Sequence, residues 1–140
     1  MSADVAALTS GADELYFEGL LEGEVRVQEC AGCAKIHWPA VFRCPACGSW
    51  EHRWKPVRPE GTVYSWTRTW HDFGGPEAFK PPFVPVVVSL SDCPSVRLLG
   101  TLDGANDEVR IGAAVQGRIT KIGFLGRDIP SLIWSLAEEA

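Results

Sequence analysis

Four cysteines in two evenly spaced pairs constrain this chain more than any other feature of its sequence. Two residues separate Cys30 from Cys33, the same spacing separates Cys44 from Cys47, and ten residues lie between the pairs. A C-x2-C turn directs both of its sulfur atoms toward one point, and two such turns supply the four thiolates that tetrahedral zinc prefers. The spacing therefore predicts a zinc site, and iron remains open because the same sulfur cage can hold it.

The predicted metal is structural, because four cysteines fill a tetrahedral shell and leave no open position for water or substrate. Gly32 or Gly48 is expected to ease the tight backbone of these turns. The nearby histidines His37 and His52 are expected to pack or to lie at the surface, since the shell is complete without them. His71 stands at the edge of a long loop, where functional residues are more common.

The overall composition predicts a soluble, cytoplasmic, globular protein. The chain has 140 residues, of which 46% are hydrophobic and 22% charged. It has no apolar run near the roughly 20 residues that span a bilayer, and its first residues lack a basic start and an apolar signal core. In a reducing cytosol, paired cysteines favour a metal over disulfides, which leaves Cys93 as a buried or loop thiol.

The distribution of charge disfavours nucleic acid as the general partner. Residues 1–23 carry five acidic and no basic residues, residues 24–60 carry six basic and four acidic, and residues 61–140 carry seven basic and nine acidic. A protein that binds by neutralising many phosphates normally shows a strong basic excess. The small excess over the cysteine segment does not meet that expectation.

Hydrophobic periodicity predicts a mainly β chain with one N-terminal helix. A loose leader and a helix from about Asp13 to Glu22 occupy residues 1–23, and short extended segments surround the cysteines in residues 24–58. Residues 59–140 contain a series of strands broken by turns, which predicts a small closed barrel. The five predicted strands of the barrel are GTVYSWTRTW, FVPVVVSL, SVRLLGTL, AAVQGRITKIGF and PSLIWSL.

No catalytic residue is predicted. The sequence contains no nucleophile elbow, P-loop or dinucleotide-binding fingerprint, and no serine or cysteine is marked by its neighbours as an activated nucleophile. Catalysis by this chain alone is therefore not expected.

The order of these motifs resembles the domain of unknown function 35 family. The resemblance rests on the helix LYFEGL, the cysteine segment ending in CPACGS, and the strands GTVYSWT and PFVPVVVSL, and it covers residues 14 to about 125. It implies an N-terminal helix, a rubredoxin-like zinc ribbon and a five-stranded OB-fold barrel. The tail RDIPSLIWSLAEEA departs from the shorter final strand usual in that family, so its role stays open.

The resemblance also implies a function in acyl-CoA metabolism. Members of this family partner thiolase-like enzymes, including thiolases, acyltransferases and aldolases that shorten steroid side chains, and some are fused to hydratase domains. This chain is then expected to be a non-catalytic accessory subunit that stabilises its partner and helps form a channel for coenzyme A. Arg68 and Lys80 are the expected phosphate-binding cations, and Trp66 and Trp70 the expected stacking rings. The competing interpretation is that Trp66 fills the barrel and Arg68 is a solvated strand residue.

The partner interface is expected where the sequence offers more apolar surface than a small protein can cover. The competing account is that the helix and the loop 71–82 pack internally. Two other functions remain open, an OB-fold protein that binds single-stranded nucleic acid and a stand-alone CoA thioesterase or acyltransferase. The residues expected at the interface are Tyr16, Phe17, Leu20, Leu21, Phe73 and Phe79.

Overall fold

The computed structural model describes residues 11–104 and 107–137, so the predicted leader at residues 1–10 lies outside the described residues. The chain divides into two compact units, the first ending at Arg58 and the second beginning at Pro59. Within the described residues, no helix has the length and apolar character needed to cross a membrane. The elements in chain order are α1 (Glu14–Leu21), β1 (Val25–Cys30), β2 (Ile36–His37), β3 (His52–Val57), β4 (Glu60–Trp66), a 3-10 turn (Glu77–Phe79), β5 (Val84–Leu90), β6 (Arg97–Leu102), β7 (Ala114–Phe124) and β8 (Arg127–Leu136).

The predicted N-terminal helix is present as α1. Glu14 places an acidic side chain in the first turn, which suits the positive end of the helix dipole. Gly23 follows the helix with a φ of 84°, a left-handed conformation that lets the chain reverse toward β1. The buried Leu20 faces the interior of the first unit, and Arg26 of β1 pairs with Glu22 just beyond the helix end.

The first unit contains a three-stranded antiparallel sheet in the order β2-β1-β3. β2 contains only two residues, because Pro39 lacks the N–H group that a continuing ladder would need. The loop after β2 is held instead by Gln28, a buried side chain of β1. Its amide nitrogen donates to the Val41 carbonyl and its amide oxygen accepts from the Val41 N–H, both at 2.9 Å.

The second unit is a closed five-stranded barrel with strand order β4-β5-β6-β8-β7, which confirms the predicted mainly β fold. All neighbouring strands are antiparallel except β6 and β8, which run parallel where the barrel closes. Alternation along β5 buries Val84, Val86, Val88 and Leu90 and leaves the residues between them partly exposed, as expected for a strand with one buried face. Gly61 allows β4 to approach β5 closely, since a Cβ atom there would lie 2.1 Å from the Ser89 carbonyl oxygen.

A single tryptophan fills the barrel, and it is Trp134. Its side chain is 0% exposed, whereas Trp66, which was considered for this position, is only partly buried. Two glycines make room for the indole. A Cβ atom at Gly100 would lie 2.7 Å from Trp134 Cδ1, and one at Gly117 would lie 3.2 Å from Cζ3. The C-terminal segment whose role was open is thus a ten-residue strand that supplies the largest core side chain.

The hairpin of β7 and β8 continues past the rest of the barrel. β4 pairs with β7 only as far as Gln116, and β6 pairs with β8 only at Ile133 and Trp134. We call residues 118–132 the outer hairpin. In the described part of the chain, the strand pairing of these residues joins β7 and β8 only to each other. The outer hairpin ends in a two-residue turn formed by Leu125 and Gly126.

Candidate metal centre

The four predicted metal-binding cysteines come together in the first unit. The sulfur atoms of Cys30 and Cys47 are 3.5 Å apart, those of Cys33 and Cys44 are 3.7 Å apart, and all four lie within 4.8 Å of one another. A tetrahedron with zinc–sulfur bonds of about 2.3 Å places its sulfur atoms about 3.8 Å apart. The cluster therefore has the size of a four-sulfur metal shell.

Two similar turns of the backbone position these sulfur atoms. The N–H of Ala34 donates to the Cys30 carbonyl at 2.9 Å, and the N–H of Gly48 donates to the Cys44 carbonyl at 2.8 Å. In each turn the N–H of the first cysteine also donates to the carbonyl five residues later, at 2.8 Å. The residue after each pair has a positive φ, 65° at Ala34 and 81° at Gly48. The same local fold thus presents both cysteine pairs.

The two glycines considered for these turns have different roles. Gly48 occupies the left-handed position of the second turn, as expected, but Gly32 does not have a positive φ. In the first turn Ala34 takes that position. Gly32 is needed for space instead, because a Cβ atom there would lie 3.2 Å from the Cys47 sulfur and 3.1 Å from Ser49 Cβ.

His37 contacts the cluster directly, although the sequence indicated only packing. Its side chain is buried, and its Nε2 atom lies 3.3 Å from the Cys44 sulfur. The pairing of the strands explains this position. Gln28 and Cys30 share one face of β1 because strand residues alternate, and His37 of β2 pairs with Gln28. The β1–β2 register is the signal that would have revealed the contact, and local composition does not contain it.

Hydrogen bonds to the sulfur atoms favour the thiolate form at two of the cysteines. The N–H of Cys33 is the main cause that lowers the pKa of Cys30 from 9.0 to about 6. The pKa of Cys44 is lowered to about 7, mainly by the N–H of Cys47. Burial opposes this change, and the imidazole of His37 adds to it. Both thiols therefore ionise near neutral pH, which prepares them to bind a cation.

Cys47 behaves in the opposite way. The N–H of Ser49 favours the thiolate of Cys47. Hydrogen bonds with the neighbouring sulfur atoms, first that of Cys30, and burial have the opposite effect and outweigh it, so the pKa is raised to about 11. The physical reason is that adjacent thiolates repel one another, so a proton is kept among them until a cation replaces it.

Among residues 11–104 and 107–137, the cysteine cluster is the one group of three or more side chains arranged to hold a metal ion. Cys93 lies in the turn between β5 and β6 of the second unit, partly buried, and takes no part in the cluster.

Three of the four residues expected to bind coenzyme A lie together. The guanidinium of Arg68 lies 5.5 Å from the ring centre of Trp66 and 5.9 Å from that of Trp70, and it is 3.4 Å from a carboxylate oxygen of Asp107. Lys80 pairs with the acidic residue three positions before it and lines a cavity to which the other three residues do not contribute. The structure thus assembles a cation between two aromatic rings, with Lys80 elsewhere in the same unit.

The helix residues expected at a partner interface are at least partly covered within the first unit. Leu20 is 3% exposed and so offers almost no surface. The ring of Tyr16 packs edge-on against Trp38, 4.8 Å between centres, and burial raises the pKa of the Tyr16 hydroxyl to about 12. Phe17 and Leu21 remain partly exposed. These contacts match the internal packing that was the competing account for the helix.

The loop residues expected at that interface differ in exposure. Phe73 is 82% exposed and contacts only the neighbouring ring of His71 among the aromatic pairs of the described chain, at 4.6 Å between centres. Phe79 is half-buried, with its ring centre 6.3 Å from that of Phe83. Trp70, in the same loop region, is 72% exposed. This loop therefore presents large aromatic groups to solvent.

Comparison with known proteins identifies both parts of the chain. A family model for the rubredoxin-like zinc ribbon domain of ChsH2 matches residues 17–52, and one for the C-terminal OB-fold domain of ChsH2 matches residues 54–120. A probable enoyl-CoA hydratase alpha subunit from Thermomonospora curvata is 34% identical over 103 residues, 71% of this chain. The chain spans only 30% of that relative's length.

Two solved structures share the fold. One, described as the Ltp2-ChsH2(DUF35) aldolase, has a TM-score of 0.80 and 26% identity, covering 94% of this chain and 98% of that chain. The other is a protein of unknown function from Sulfolobus solfataricus in the domain of unknown function 35 family, with a TM-score of 0.61 and 22% identity over 96% of this chain and 92% of that chain. With its zinc ribbon and OB-fold both matched in order, this chain belongs to the domain of unknown function 35 family, of the ChsH2 type.

Proposed function

We propose that this chain is a non-catalytic accessory subunit of a thiolase-superfamily enzyme that acts on acyl-CoA. The observation that carries the proposal is the similarity to the Ltp2-ChsH2(DUF35) aldolase, which covers nearly the whole of both chains. The relative from Thermomonospora curvata is also named as a subunit of an acyl-CoA enzyme. An accessory role agrees with the absence of a recognisable nucleophile motif from the sequence.

We infer that the cysteine cluster holds one zinc ion with a structural role. Cys30, Cys33, Cys44 and Cys47 supply four sulfur ligands at the spacing of a tetrahedral shell. A shell that is complete with protein ligands leaves no position for substrate, so the metal contributes folding energy to the first unit. Iron would fit the same sulfur atoms, and metal analysis of the purified protein distinguishes the two.

The most suitable place for coenzyme A on this chain is the cluster of Arg68, Trp66 and Trp70. A guanidinium can bind a phosphate through two hydrogen bonds, and an exposed indole can stack on an adenine ring. Lys80 is a second cation of the same unit. Because Trp70 is exposed beside Arg68, we propose that this cluster completes a channel whose other wall belongs to the enzyme subunit, and that Phe73 and Phe79 contribute to the contact.

The experiment is co-purification of the tagged chain with the thiolase-like subunit of its own organism, followed by assays of each protein alone and together. We expect a stable complex, acyl-CoA turnover only when the enzyme subunit is present, and reduced stability or activity of that subunit alone. Turnover by the isolated chain would overturn the proposal. Salt-sensitive binding of single-stranded oligonucleotides without any such complex would favour the nucleic-acid alternative.

A further inference from the structure

The turn of the outer hairpin contains a leucine in a conformation that leucine disfavours. Leu125 and Gly126 have φ values of 52° and 77°, and Phe124 and Arg127 pair on either side of them. Two-residue hairpin turns with positive φ at both central positions strongly prefer Asn-Gly or Asp-Gly. Gly126 fits that preference. Leu125 does not, because its Cβ atom is crowded in the left-handed region.

Solvent exposure also disfavours leucine at this position. Leu125 is 84% exposed, more than any other large hydrophobic side chain among the described residues. Asparagine would improve both the backbone conformation and the contact with water. The folding of this chain therefore does not explain why leucine occupies the tip.

The outer hairpin is built to present this residue. Below the tip, its two strands pair with each other residue by residue as far as the barrel, and Phe124 is half-buried beside the turn. The 3-10 turn Glu77–Phe79 packs against β7 and supports the ribbon on one side. A preformed element loses little conformational freedom on binding, which favours its use as an anchor.

The charge of the outer hairpin indicates the kind of surface that would receive it. Residues 118–132 contain Arg118, Lys121 and Arg127 against the single acidic residue Asp128, whereas the whole chain has a formal net charge of -5. Arg118 pairs with Asp103 at 3.2 Å, and a small positive excess remains when Asp103 is included. A basic ribbon with an apolar tip is complementary to an apolar pocket with an acidic rim. A lipid surface is disfavoured, because even one acyl chain gives only marginal membrane binding and the tip exposes a single leucine.

We propose that the outer hairpin docks on the enzyme subunit by inserting Leu125 into an apolar pocket that has an acidic rim. This inference rests on the proposed function, since it names the element that contacts the proposed partner. The proposed contact lies at the hairpin end of β7 and β8, and it is additional to the contact proposed for Phe73 and Phe79.

The test replaces Leu125 with asparagine and measures two properties that should change in opposite directions. For the chain alone, Leu125→Asn should raise the thermal unfolding temperature, because asparagine tolerates the left-handed conformation. For the complex, the same substitution should weaken binding to the enzyme subunit by about tenfold or more, as expected for a buried anchor. Leu125→Gly, which also suits the turn, should reproduce the loss of binding.

The matched control is Leu99→Thr, because Leu99 is another exposed leucine of the same barrel, 76% exposed on β6. It should change binding by less than about twofold, as surface substitutions outside a hot spot usually do. Unchanged binding in both Leu125 variants, or an equal loss in Leu99→Thr, would overturn the inference while leaving the proposed function intact. If the parent chain itself does not bind the enzyme subunit, both proposals fail. If the Leu125 variants bind anionic vesicles more weakly than the parent chain but bind the enzyme subunit equally well, the tip contacts a membrane and not a protein pocket.

Discussion

The Nε2 atom of His37 lies 3.3 Å from the Cys44 sulfur, so a buried imidazole contacts one of the four sulfur atoms of the cysteine cluster. When Nε2 carries a proton, the ring donates to the sulfur and stabilises negative charge there. Groups that support metal ligands in this way typically change metal affinity by about 10–100-fold when they are removed. The contact gives a histidine outside the ligand set a measurable role.

We therefore expect His37→Leu to lower zinc affinity by about tenfold or more. His71→Leu is the control, since His71 is exposed in a loop of the second unit. Competition with a chromogenic chelator measures both affinities. Equal affinities in the two variants would show that the His37 contact has no influence on the metal.

Removal of one ligand should abolish the metal site. Cys44→Ser is expected to lose the metal and unfold the first unit, because metal binding supplies about 10–16 kcal/mol in comparable zinc peptides. Cys93→Ser should keep the metal and the fold of the first unit, since Cys93 lies outside the cluster. Metal content and amide hydrogen exchange report the outcomes. A Cys44→Ser protein that retains one equivalent of metal would contradict the four-cysteine assignment.

The two left-handed positions of the cysteine turns predict a pair of opposite effects. Ala34→Gly should stabilise the first unit, because an alanine at a φ of 65° costs about 1 kcal/mol relative to glycine. Gly48→Ala should destabilise it by a similar amount. The added methyl group there would meet only the flexible end of Arg43, at 3.1 Å, so the cost comes mainly from the backbone. Chemical unfolding of the zinc-bound proteins measures both changes, and shifts of the same sign would refute the argument.

Zinc binding should release more protons as the pH falls from about 8 to about 6. The pKa values of Cys30 and Cys44 are lowered to about 6 and about 7, so at the higher pH both are already thiolates. A lowered thiol pKa also stabilises the metal-free fold at high pH, and that stabilisation is lost as the pH falls through these values. Below them zinc must displace the protons and binds more weakly. Calorimetry in buffers of different ionisation enthalpy measures the release, and a constant value across this range would indicate ordinary thiols.

The close contact between Gly100 and Trp134 predicts a large effect from one methyl group. Gly100→Ala should destabilise the barrel by about 1–3 kcal/mol, because the added Cβ atom would lie 2.7 Å from the indole. Gly123→Ala is the control, since its Cβ atom would have no neighbour closer than Asp128 Oδ1 at 3.8 Å. Trp134→Phe in the Gly100→Ala background should recover part of the loss. Urea unfolding measures all three, and equal stability of the two alanine variants would contradict the packing.

Features set by local pattern were predictable from the sequence. The paired cysteine spacing identified the cysteine cluster, and alternating hydrophobicity identified the five strands of the barrel, because both signals lie within a few neighbouring residues. The closed barrel itself was expected from the number and spacing of those strands.

Features set by strand pairing were not predictable. His37 reaches Cys44 only because β2 pairs with β1 in one register, and Trp134 rather than Trp66 fills the barrel because β8 closes it between Gly100 and Gly117. Ala34 occupies a position where glycine would have been the clearer signal. In each case the decisive neighbour is remote in the chain or contradicts a local preference.

The parallel pairing of β6 with β8 fixes the order in which the second unit can mature during synthesis. Thr101 pairs with Ile133 and Leu102 with Trp134, partners about 30 positions apart that must meet across the intervening β7 hairpin. A nascent chain that has left the ribosome only as far as the end of β7 has a β6 edge without its partner strand, and its barrel lacks the Trp134 side chain. Completion of the barrel therefore waits for residues 127–136 to leave the ribosome, and until then the exposed edge is a site for aggregation.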